Sequence, residues 1–290
     1  MVLTEQQVAQ FHNDGFVLVE NAVSAEQLQA LRHDFAAWVD ESRQHTDAYG
    51  AICDGRPRFD MQPGHTPEVP ALRRVSSPQE VSATYLQVMR NNRALDALTQ
   101  LYGPNLKFNN AKINSKLPGT ATEVKYHQDF LFEPHTNTDL ATVLIFLDDI
   151  DENNGPLEVV PGSHKGPLYE HWHDGEFTGA IAPELVDVLA SKAVIATGKA
   201  GTACIMHTLT LHGSAVNRST NSRTVYIVEY AAEDAMPLIV NHIPSEQEGE
   251  VVRGIKTGKI RSVPFNMAEP AYPTATSFFN QQEGSDRAAD

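Results

Sequence analysis

In VKYHQDFLF, residues 124–132 of this 290-residue chain, an imidazole and a carboxylate stand two residues apart among tyrosine, phenylalanine and valine. The stretch predicts a strand, in which residues i and i+2 share a face. His127 and Asp129 then point together into whatever that face covers. A buried carboxylate is costly without a partner, and a metal ion is the partner that suits both groups. Two imidazoles and one carboxylate on one face of an octahedral ion make the facial triad of non-haem Fe(II) oxygenases, with three positions left open. The third donor must come from a distant strand, and GTACIMHTLTLHGSAVNRSTNSR, 201–223, offers His207 and His212. Arg223 follows His212 at a distance that fits a hairpin returning the chain to the site, where a guanidinium can clamp a carboxylate through two parallel hydrogen bonds. A lone H-x-D is more often an ordinary hydrogen-bonded pair; the second motif and Arg223 turn the balance toward a metal.

Such a site needs a rigid frame, and the chain predicts one. Thr4-Glu5-Gln6-Gln7 and Ser24-Ala25-Glu26-Gln27 match the capping-box pattern at the start of two helices, separated by a short strand, FVLV, 16–19. Leu28, Leu31, Phe35 and Val39 recur at helical spacing, and the same periodicity returns over 81–89 and 95–101. From about residue 106 short β-rich runs follow one another between Gly, Pro and Asn turns: 108–116, 123–132, 142–150, LEVVPGS, AVIATG, 201–216 and RTVYIVEYAA. Without βαβ alternation these favour an antiparallel sandwich or barrel. The fold class expected is therefore mainly β with flanking helices. One domain over 1–290 is the economical division: a mainly helical flank over 1–103, a β core over 104–232, and an extension over 233–290 whose end, QQEGSDRAAD, reads as a frayed tail.

The three blocks HQD, NGPLEVVPGSHKGPL (154–168) and LHGSAVNRSTNSR together resemble the phytanoyl-CoA dioxygenase superfamily, over about 8–230. KINSKLPG, 112–119, is similar to the strand that precedes the metal motif there and in its ectoine hydroxylase branch. The resemblance implies a double-stranded β-helix, the cupin-like jelly roll. It implies Fe(II) held by His127, Asp129 and His212, with 2-oxoglutarate as cosubstrate and O2 as oxidant. Arg223 and Ser214 would hold the distal carboxylate of 2-oxoglutarate, with Asn110 as the assisting amide on the preceding strand. Halogenating relatives carry a small residue in place of the carboxylate, so Asp129 favours hydroxylation of an aliphatic carbon, with release of succinate and CO2, over chlorination. Desaturation and ring formation share the same first half. Tyr126 and Phe130 flank the motif where ectoine hydroxylases carry a tryptophan, which points away from ectoine as substrate.

Around this centre several residues have two readings. The 55–75 stretch is too rich in proline for a regular element, and its Arg56, Arg58, Arg73 and Arg74 suit an anionic substrate or equally pair with the many acidic side chains. Lys112 or Lys116 could reach an anion as well, although Lys116-Leu117-Pro118-Gly119 reads first as a strand end. His207 and His164 read as hydrogen-bonded core or turn histidines. YEHWHDGEFTG, 169–179, is either a lid over the site or a partly exposed loop, and its H-x-H only remotely a second metal site. Net charge −15 disfavours nucleic acid and anionic membranes as partners. Two scattered cysteines make neither a disulfide framework nor a thiolate site, and no run is long and apolar enough to span a bilayer. The expectation is a cytoplasmic monomer or homodimer acting on a small molecule. A cupin-like isomerase or hydrolase, which would have no use for Arg223, and a non-catalytic binding protein on the same fold are the alternatives; the full ligand set with Ser214 and Arg223 argues against both.

Overall fold

The computed structural model describes residues 1–118, 122–273, Phe279 and Gln282; Gly119 and, Gln282 apart, the QQEGSDRAAD segment lie outside them. Both capping boxes form. Helix α1 (Glu5–Asp14) begins at Thr4 and α2 (Ala25–Ser42) at Ser24, each with reciprocal hydrogen bonds to the glutamine three residues on. Between them lies β1 (Phe16–Val19), which Gly15 introduces at φ 85°, a left-handed turn that glycine enters without strain. Next come β2 (Tyr49–Ala51), β3 (Pro57–Met61) and β4 (Leu72–Ser76). The proline-rich 55–75 stretch is thus irregular mainly over 62–71, between two strands. Pro57 opens β3, where a strand tolerates it, and β3 pairs antiparallel with β4.

Helices α3 (Ala83–Arg90) and α4 (Arg93–Tyr102) lead into the long β5 (Leu106–Lys116), then β6 (Val124–His127), β7 (Leu140–Phe146) and β8 (Leu157–Val159). The chain continues through a small hairpin, β9 (Trp172–His173) and β10 (Glu176–Phe177), helix α5 (Pro183–Ala190), β11 (Val194–Ala196), β12 (Ala203–His207), β13 (His212–Ser214), β14 (Arg223–Ala232) and β15 (Val251–Arg253). One sheet runs β1-β12-β7-β14-β5-β4-β3-β2, with β15 also on β5; a second runs β11-β8-β13-β6. The two antiparallel sheets form the jelly roll. The hydrophobic pattern of β14 explains why it is central: Val225 and Ile227, with Leu144, Phe146 and Met206, share a core with Leu157 of the second sheet, while Tyr226, Val228 and Tyr230 share the other core with Tyr85, Met89, Leu95 and Leu98. A strand buried on both faces reads as an unbroken apolar run.

The helical flank is tied to the core sheet by hydroxyls as well as by burial. The Tyr230 hydroxyl donates to the Met89 carbonyl at 2.6 Å and accepts from the Asn92 side-chain amide at 3.1 Å. Asn92 also caps α4 through the Leu95 amide. Replacing Tyr230 with phenylalanine should cost about 1–2 kcal/mol, the size of a lost buried hydrogen bond. A lower urea midpoint with undiminished iron binding is the expected result, since Tyr230 faces away from the cavity.

Candidate metal centre and active site

Strand β6 ends at His127, sooner than its sequence predicts. Gln128 remains extended (φ −117°, ψ 125°), so His127 and Asp129 do project the same way, and a 3-10 turn over Asp129–Leu131 follows at once. His212 stands directly opposite His127 in the β13–β6 ladder. Residues paired in this way have adjacent side chains, and the two ring centroids are 4.2 Å apart. Gly213 permits the approach: a Cβ there would come within 2.9 Å of the Val124 carbonyl oxygen.

Asp129 Oδ1 lies 3.2 Å from His127 Nε2 and 3.6 Å from His212 Nε2. One donor atom from each of the three buried residues falls within 4.8 Å of the others. Each residue's other polar atom is already held. His127 Nδ1 meets the Lys125 carbonyl at 2.8 Å, and His212 Nδ1 the Thr210 carbonyl at 2.9 Å. Both Nδ1 atoms must therefore carry the proton, which presents the Nε2 lone pairs inward. Asp129 Oδ2 accepts from the Thr142 hydroxyl at 2.6 Å. Burial acts to raise the Asp129 carboxyl, yet His212 and His127 hold it below the ordinary carboxylate range. Burial, reinforced by His127, brings His212 down to about 4 against the pull of Asp129. Two imidazoles and a carboxylate, preoriented and converging, fit a divalent iron ion.

The triad lines one wall of a cavity between the sheets, with Leu144, Leu157, Met206 and Ile227 as apolar walls and Ser214, Arg223, Asn114, Lys112 and Arg74 among its polar groups. Arg223 is 4% exposed, its Nε has no hydrogen-bond partner, and burial lowers it to about 10. Ser214 Oγ accepts from the buried Lys116 ammonium at 2.7 Å. Asn110 requires correction: its amide donates to both oxygens of Glu133, at 2.8 and 2.9 Å, and it does not line the cavity. Asn114, on the same face of β5, does line it, with a buried and unpartnered Oδ1.

The arginines of the 55–75 stretch separate. Arg58 pairs with Glu80 and Arg73 with Asp60, both at 2.7 Å, and Arg56 with Asp54; Arg74 alone of the four lines the cavity. His207 accepts from the Leu209 amide and packs beside Phe11 and Tyr102, away from the triad. His164 contacts the His12 carbonyl. In the 169–179 segment, buried His171 packs on Phe132, while His173 contacts the Ala180 carbonyl and Trp172 donates to the Glu269 carbonyl. The two histidines of this H-x-H serve different partners. Thr142, Glu133, Glu229 and His242 went unnoticed in the sequence. Thr142 and Glu229 had a signal, each being a polar interruption of an otherwise apolar strand.

Fold and site together define a non-haem iron, 2-oxoglutarate-dependent dioxygenase. The chain belongs to the phytanoyl-CoA dioxygenase (PhyH) family, whose model matches residues 11–225. It is 34% identical over 273 residues to "Probable alpha-ketoglutarate-dependent hypophosphite dioxygenase" of Stutzerimonas stutzeri, covering 92% of each chain. It is 29% identical to L-proline trans-4-hydroxylase of Streptomyces griseoviridis, covering 62% of this chain and 74% of that one. Among solved structures, EctD from S. alaskensis in its apoform superposes with a TM-score of 0.67 at 20% identity, over 87% of this chain and 86% of that one. No helix among the described residues is long and apolar enough to cross a membrane.

The Thr142 hydroxyl is the test of how far orientation of Asp129 governs metal binding. Thr142→Val should weaken Fe(II) affinity by about 10–100-fold, the usual effect of losing a group that orients a ligand. Equilibrium dialysis of the anaerobic protein reads it directly.

Proposed function

We propose that His127, Asp129 and His212 hold Fe(II), and that Arg223 and Ser214 seat the distal carboxylate of 2-oxoglutarate, in an enzyme that hydroxylates a small molecule. The balance is R–H + 2-oxoglutarate + O2 → R–OH + succinate + CO2. When bound, iron and the 2-oxo acid supply the oxidising power. The protein supplies geometry and a dry site. His127 and His212 present inward lone pairs, Asp129 offsets part of the metal charge, and Thr142 keeps that carboxylate from rotating. Because Ser214 Oγ accepts from Lys116, its own hydrogen is available to a carboxylate beside Arg223. Leu144, Leu157, Met206 and Ile227 exclude water from a reactive oxidant. The observation that carries this reading is one cavity holding both a convergent two-histidine, one-carboxylate set and a buried guanidinium without a hydrogen-bond partner among the described residues.

The retained carboxylate at 129 supports hydroxylation over halogenation. The high coverage of the hypophosphite relative supports a compact substrate, in which the bond attacked is C–H, as in the proline hydroxylase, or P–H. A net charge of −15 argues against a nucleic-acid or anionic-membrane partner, and two cysteines that form no disulfide suit a reducing cytoplasm. The chain is read as one domain, since helices and sheets share a continuous core.

Anaerobic addition of Fe(II) and then 2-oxoglutarate to the metal-free protein should raise the visible iron-to-oxo-acid charge-transfer band. Asp129→Ala should abolish the band. Arg223→Ala should raise the 2-oxoglutarate concentration needed by about a hundredfold, the scale of a lost charge-assisted bidentate contact. An absent band despite confirmed iron binding would overturn the cosubstrate assignment.

A further inference from the structure

The described residues contain four buried arginines: Arg58, Arg73, Arg74 and Arg223. Arg58 and Arg73 are matched by carboxylates at 2.7 Å. Arg74 and Arg223 make no hydrogen bond or ion pair with the described residues, their Nε atoms are buried without hydrogen-bond partners there, and both line the triad cavity. A guanidinium withdrawn from water requires an anion. With two such groups in one cavity, the distal carboxylate of 2-oxoglutarate accounts for only one of them.

Their surroundings separate the two. Arg223 lies in the field of Asp148 and beside Lys116. Arg74 lies among Asp60, Arg56, Arg73 and Glu229, and its charge reaches His242. Near Arg74 the other charges are internally balanced. Lys112 pairs with Glu229 at 3.0 Å, and burial and the facing Glu229 push Glu133 well above the ordinary carboxyl range, toward its neutral form. His242, 3.6 Å from Glu133, is held far down by burial, Lys112 and Arg74, and is therefore neutral. Its Nδ1 and the Asn114 Oδ1 are also buried without a hydrogen-bond partner among the described residues. This leaves one uncompensated positive charge, on Arg74, flanked by polar groups of both hydrogen-bonding senses.

We propose that Arg74 is the specificity-determining residue for the substrate, and that the substrate is a small molecule bearing one oxyanion, bound at Arg74 separately from 2-oxoglutarate at Arg223. The inference rests on reading Arg223 as the cosubstrate anchor. It names the class by charge and size; a carboxylate and a phosphorus oxyanion share that chemistry. Lys112 is a positioning residue, since its ammonium is engaged by Glu229.

The test uses the anaerobic holoenzyme loaded with Fe(II) and 2-oxoglutarate, so that Arg223 is occupied. Hypophosphite, acetate and the neutral isostere acetamide are titrated calorimetrically, with the charge-transfer band recorded on the same samples. At least one of the two anions should bind, its identity separating the phosphorus and carboxylate sources, and acetamide should not. Arg74→Met should weaken that anion by about tenfold or more with the band unchanged, and Arg74→Lys should restore part of the loss. Binding of acetamide equal to that of the anions, no binding of either anion, or unaltered anion affinity in Arg74→Met would each overturn the proposal. So would a weakened band in Arg74→Met with anion binding retained, since Arg74 would then serve 2-oxoglutarate. If wild type binds iron but shows no band, the dioxygenase assignment fails instead. Titrating the metal-free protein with the same anions then decides whether Arg74 holds an anion at all.

Discussion

Two imidazole nitrogens and a carboxylate oxygen are brought within 4.8 Å of one another in a buried site, and the surrounding structure is organised by what that convergence requires. His127 and Asp129 are two residues apart, but His212 comes from a strand remote in sequence, so the pairing of β6 with β13 must be in register to the residue. A slip of one position would turn His212 to the opposite face. Gly213 lets β13 lie close to Val124, and Thr142, reaching across from the other sheet, ties Asp129 to the larger half of the sandwich. The metal centre is thereby a contact between the two sheets, and its geometry is as rigid as their packing.

Charge in the cavity follows from the same enclosure. Low solvent access pulls His212 down, while the two adjacent histidines hold Asp129 below the ordinary carboxylate range against its own burial. It also makes every cation in the cavity expensive unless matched. Lys112 is matched by Glu229. Arg223 and Arg74 have no hydrogen-bond or ion-pair partner among the described residues. The cavity is thus electrostatically incomplete in two places, and its ligands are part of its charge balance.

The helical flank has a structural role that connects to this. Its side chains cover the outer face of β14, β5 and β7, leaving the inner face of those strands free to carry Thr142, Glu229, Lys112 and Asn114 into the cavity. Outer packing of Tyr226, Val228 and Tyr230 holds the backbone that positions inner residues one step away. Stability and function divide between the two faces of one sheet because strand side chains alternate.

Much of this was legible in the chain. The capping boxes of α1 and α2, the strand order from 106 to 232, the H-x-D spacing and the 212–223 motif depend on local patterns, and local patterns survive in a one-dimensional string. Gly213 beside His212 belongs with them. What depended on long-range pairing did not survive. Sequence proximity placed Asn110 on the strand leading to the site, but only the fold brings Glu133 against its amide and leaves Asn114 in the cavity. The 55–75 stretch showed four arginines of equal standing. Register with β5 and the positions of Asp60 and Glu80 decided that Arg58 and Arg73 are neutralised while Arg74 faces the cavity alone. Residue type and short spacing determine which chemistry a chain can carry, whereas the pairing of charges across distant strands is a property of tertiary packing, because burial and partnership are set by segments that the sequence does not place side by side.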